Sequence, residues 1–118
     1  MIVMKEYIIE EMQKWHQDLE NEIQIMNEKE AELQRKVDIL TAKVEIATEA
    51  AAKFAVNEDV DRFLEIRVQP LKKELEKAES DLKSTQKEYR EPRNHIVALK
   101  SRIKRELNRY KMFQKGAE

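Results

Sequence analysis

Two histidines, His16 and His95, are the only side chains in this sequence that ordinarily titrate near neutrality. A metal or acid–base role would need further ligands to converge on one of them. If the chain pairs antiparallel, His95 approaches Glu30, the one charged residue in an otherwise apolar helical stripe. That juxtaposition reads as a polar contact inside a helical interface. There is no cysteine, which excludes disulfides, thiolate zinc sites and cysteine nucleophiles and gives a cytoplasmic setting as the expectation. No glycine-rich phosphate loop, G-x-S-x-G or H-E-x-x-H occurs. The sequence thus predicts no catalytic residue, no metal site, no cofactor and no small-molecule substrate, and the expectation is a protein that is not an enzyme.

The other residues with chemical potential are charges. Residues 1–32 carry nine acids against three lysines, a balance of −6, whereas residues 93–115 carry eight bases (Arg93, Lys100, Arg102, Lys104, Arg105, Arg109, Lys111 and Lys115) against Glu106 alone, a balance of +7. Eight bases in so short a stretch would attract a phosphate backbone by counterion release, so a nucleic-acid binding or packaging factor is one reading. The other is that the two segments complement each other within a chain whose formal net charge is only −1. That second reading uses the same charges to choose the direction of helix pairing, as flanking charges do in coiled coils, and it is the one adopted.

Periodicity says what positions these charges. From Leu19 the positions Leu19, Ile23, Met26, Glu30, Leu33, Val37, Leu40, Val44, Ala47, Ala51 and Phe54 alternate in steps of four and three, and ten of the eleven are apolar. That is the seam of a left-handed coiled coil. Ile8, Met12 and Trp15 continue it upstream, with two consecutive steps of four through Trp15, Leu19 and Ile23 that predict a local phase shift. A second seam runs through Leu71, Leu75, Ala78, Leu82, Thr85, Tyr89, Pro92, Ile96, Leu99, Ile103, Glu106, Tyr110 and Phe113. With 40% of residues charged, 41% hydrophobic and a single glycine, the composition also suits long helices with few tight turns.

The expected fold is all-α: a long antiparallel coiled-coil hairpin of one domain over 1–118, with a first arm at 3–55, a connector at 56–69 and a second arm at 70–114. At 1.5 Å per residue each arm would extend about 70 to 80 Å. Asn57 is expected to cap a short connector helix at about 58–68, with Glu58 and Asp59 in its first turn, and Pro70 to open the second arm with Gln69 extended before it. Core partners should have numbers that add to about 125, which sets Ala47 near Ala78, Phe54 near Leu71 and Met12 near Phe113. Pro92 falls on a core position at the height of Glu30, which predicts a kink or break at Glu88–Pro92, a hinge formed by Pro92, Glu30 and His95.

Two apolar features are left over. Ile25, Ile39 and Ile46 repeat at multiples of seven beside the main seam, and the connector carries Val60, Phe63, Leu64, Ile66 and Val68. These eight are the candidate partner-binding residues. They predict a homo-oligomer, a dimer of hairpins, with a further protein partner. The apolar start MIVM is too short for a signal peptide, and no run approaches the ~20 apolar residues of a spanning helix, so no membrane association is expected. A helical hairpin of this length resembles in outline the export-stalk proteins of flagellar and type III secretion systems, phage scaffolding factors and prefoldin-like chaperones. The resemblance implies a scaffolding, adaptor or chaperone-like role and transfers no site residues.

Overall fold

The structure, a computed structural model, describes residues 4–117, with side-chain surroundings described for residues 4–111. Val3 therefore lies outside the described residues, and the side chains of Phe113, with its expected contact to Met12, and of Lys115 lie outside the described surroundings. The fold is all-α, two long helices joined by a short connector. Helix α1 spans Glu6–Ala50, α2 spans Asn57–Phe63 and α3 spans Gln69–Ala117. A single 3₁₀ turn, Ala51–Lys53, closes α1, and a π-turn, Leu64–Val68, joins α2 to α3 without interrupting the helical path.

Helix α1 has no glycine with which to end in a left-handed turn, so its last turn tightens instead. The Phe54 amide donates to the Ala51 carbonyl, and Phe54 then leaves in extended geometry. The chain re-enters helix at once. Val56, not Asn57, is the N-cap: it is extended, its side chain makes no capping bond, and its carbonyl accepts from both Asp59 and Val60. Glu58 and Asp59 do sit in the first turn of α2, where the helix dipole favours them.

Only Phe54–Val56 is non-helical between the arms, in place of the longer connector expected at 56–69. Pro70 does not open a helix, and Gln69 is helical rather than extended. The π-turn explains why. Proline at 70 has no amide to give, and its ring would meet the carbonyl of Ile66 in a regular α-turn. Widening the preceding turn, so that the Gln69 amide reaches the Leu64 carbonyl, removes that conflict while keeping the helix continuous.

The chain divides into two compact units, residues up to Asn27 with those from Glu88 onward, and Glu28–Lys87. In the first, Leu19, Ile96 and Ile103 form a buried cluster, with Met12, Ile23, Met26 and Leu107 packed against it. The two segments run antiparallel there: Lys100 Nζ lies 3.5 Å from Glu20 Oε1, and Arg93 donates to Asn27 Oδ1 at 3.2 Å. In both cases the numbers add to 120 rather than about 125. In the second unit Leu40, Ala51, Val68, Ala78 and Leu82 are buried, and the Phe54 and Phe63 rings sit 5.2 Å apart.

The seams themselves are corrected in two places. In α1 the half-buried residue beside Leu19 is His16, and Trp15 is 42% exposed. His16 restores unbroken alternation through Met12, His16, Leu19 and Ile23, so the phase shift expected at Trp15 is absent. In α3 the shift is real but elsewhere. Tyr89 is followed inward by Arg93, Ile96, Lys100, Ile103, Leu107 and Tyr110, while Pro92 and Leu99 are exposed. Two successive steps of four, Thr85 to Tyr89 to Arg93, turn the stripe past the proline.

Candidate helix-docking site

The helix surface beside the core of the second unit carries the candidate site. Ile39 and Ile46 sit on α1 one heptad apart, 55% and 68% exposed. They differ in this from Leu33, Val37, Leu40, Val44 and Ala47, which are buried or half-buried. Around them on the same face lie Glu32, Lys36, Ala42, Lys43, Glu49 and Lys53, all exposed. An open groove runs alongside, with Leu33, Ile39 and Leu40 as its apolar lining and Lys36, Lys43 and Glu74 among its polar walls. Ile25, in the other unit, is likewise exposed.

The connector residues divide. Val68 is 1% exposed and belongs to the core, so it is not a surface for a partner. Val68 closes the π-turn, and Leu64 at its start is half-buried. Val60, Phe63 and Leu64 are half-buried, and the Phe63 ring is tilted against the Phe54 ring. Only Ile66 of this group is exposed.

The basic segment is partly engaged. Lys100 is half-buried against Glu20, Arg93 is half-buried against Asn27, and Arg102 and Arg109 both approach Glu106 Oε1, at 3.0 and 3.6 Å. Lys104, Arg105 and Lys111 are exposed. The long aliphatic stems of Arg93 and Lys100 let them occupy seam positions while their charged ends reach outward to a partner on α1.

Of the residues expected to form a hinge, Pro92 and His95 lie in the first unit and Glu30 in the second. Helix α3 passes through Pro92 without a break. Pro92 and Glu88 are both on the exposed side, where water can reach the Glu88 carbonyl that loses its amide partner. His95 is exposed and lies 3.7 Å from Glu91 on its own helix, and Glu30 is half-buried in the other unit. His16 is 3.8 Å from Glu20, also within one helix. Among the described residues no group of three or more His, Asp or Glu converges as a metal site would require, and no helix is long and apolar enough to cross a membrane.

Sequence reading missed His16, Arg93, Lys100 and Leu107 as inward positions. The signal was present, because Tyr89, Arg93, Ile96, Lys100, Ile103, Leu107 and Tyr110 also alternate by four and three. Two charged residues in the pattern made the all-apolar frame through Pro92 and Leu99 look better. Comparison with models of known protein families, with curated proteins and with solved structures finds no match.

Proposed function

We propose that this chain is a structural, non-enzymatic protein of the cytoplasm that acts as a scaffold or adaptor through helix-to-helix contact, first with copies of itself and then with a protein partner. The observation that carries this is the exposure of Ile39 and Ile46 on a helix whose seam is already filled. Leaving two β-branched apolar side chains at heptad spacing in water gains the chain nothing by itself, and covering each by a neighbouring helix would contribute about 1.5 to 3 kcal/mol. The engagement of Arg93 by Asn27 and of Lys100 by Glu20, both on α1, supports reading the basic segment as helix-pairing charge in preference to a phosphate-binding surface.

Substituting Ile39→Asp and Ile46→Asp together tests the reading. The expected result is unchanged helicity and thermal unfolding at low protein concentration, with self-association lost at high concentration. An association that survives both substitutions would remove this face from the account.

A further inference from the structure

We infer that the part of α3 in the first unit, from Glu88 onward, is a two-frame helix, able to turn about its own axis so that Pro92, Leu99 and Glu106 replace Arg93, Lys100 and Leu107 against α1. This is a conformational device within one chain and does not depend on the self-association proposed above.

The two frames share half of their inward residues. From Leu71 to Tyr89 the buried and half-buried residues of α3 keep alternating steps of four and three. Continued without interruption, that phase runs through Pro92, Ile96, Leu99, Ile103, Glu106 and Tyr110. The structure instead takes an extra step of four at Tyr89 and runs through Arg93, Ile96, Lys100, Ile103, Leu107 and Tyr110. Ile96, Ile103 and Tyr110 belong to both stripes. Passing from one stripe to the other keeps these three inward and turns the helix by about 50°, half the angle between neighbouring residues.

The exchange is close to balanced. Leu107 leaves and Leu99 enters, and Leu99 already stands at the edge, 40% exposed. Glu106 is nearer still, since its side chain is 13% exposed although it lies outside the present stripe. Arg102 and Arg109 on the same helix reach its Oε1 at 3.0 and 3.6 Å, so its charge would enter accompanied, as a buried carboxylate requires. Two contacts to α1 then decide for the present frame, Lys100 with Glu20 at 3.5 Å and Arg93 with Asn27 at 3.2 Å. Turning breaks both, carries Lys104 and Lys111 further outward and brings Arg102 and Arg109 to the flank. What the first unit offers a neighbouring helix changes while both of its helices stay intact.

The chain has no cysteine, so a single introduced thiol reports its own burial. In the full chain, Leu107→Cys should react with a thiol reagent several-fold more slowly than Leu99→Cys, each rate being divided by that of the same variant unfolded in urea. Adding Lys100→Glu, which sets a second carboxylate against Glu20, should reverse that order. Adding Glu20→Lys to Lys100→Glu should restore it. Ile103→Cys, inward in both frames, should stay protected throughout. If Lys100→Glu exposes it, the helices have separated, and Lys100→Gln, which removes the ion pair without repulsion, is read in the same way. An order that never reverses while I103C stays protected, or a loss of protection at I103C in the Lys100→Gln background too, overturns the proposal.

Discussion

Ile103→Ala should lower the stability of the protein by about 2 to 4 kcal/mol, read as a shift of the urea midpoint at unchanged slope. Ile103 is 5% exposed and shares its cluster with Leu19 and Ile96. The substitution loses the transfer energy of the removed carbons and leaves a cavity that a paired-helix core can close only in part. Few side chains in the first unit are fully removed from water, so each accounts for a large share of what holds α1 and α3 together there. Leu99→Ala is the control. Both residues belong to the apolar frame of the second seam, but Leu99 is 40% exposed, and its truncation should cost well under half as much. Equal losses at the two positions would show that the stripe had not turned past Pro92.

Pro92→Ala should raise stability by about 1 to 2 kcal/mol, measured the same way. The reason is local. An alanine at 92 supplies the amide that the Glu88 carbonyl lacks and removes a ring that crowds that carbonyl. The gain is set below the full cost of an interior proline because Pro92 and Glu88 lie on the exposed side, where water already serves the carbonyl. A proline at a core position beside a helix break predicts otherwise, since alanine there would leave a small cavity and no lost bond to regain. A neutral or destabilising Pro92→Ala would therefore favour the break over the continuous helix.

The class of fold is legible in this sequence because it depends on a pattern repeated many times. A single misplaced residue in the first seam changes little when Ile23, Met26, Leu33, Val37, Leu40, Val44 and Ala47 agree, and each of these lies buried or half-buried. The errors concentrate where one local rule competes with another. At Pro70 the rule that proline opens helices lost to a π-turn, because the helix already under way from Asn57 could be widened by one residue more cheaply than restarted. At Trp15 hydrophobicity pointed inward, but heptad phase placed His16 there and left the indole at the edge. At Pro92 the apolar frame pointed inward, but a proline has no amide to give and sits more easily where water can reach the bereft carbonyl. The stripe turned by one residue and drew in Arg93 and Lys100, whose stems are apolar enough to pack and whose charges find Asn27 and Glu20.

The candidate site was legible only in part. Ile25, Ile39 and Ile46 stood out because isoleucine on the outer side of a charged helix breaks the binary pattern, and all three are exposed. The connector group was harder, since a short apolar run looks the same whether it covers the end of a helix pair or faces a partner. Burial separates Val68, which is core, from Ile66, which is not.

Sedimentation equilibrium of the unmodified chain across a wide concentration range tests the central claim, that this is a protein that works by helix-to-helix association with itself. A reversible rise from the 14.1 kDa of one chain to twice that mass is the expected result. A mass that stays at 14.1 kDa to the highest concentration reached would contradict it.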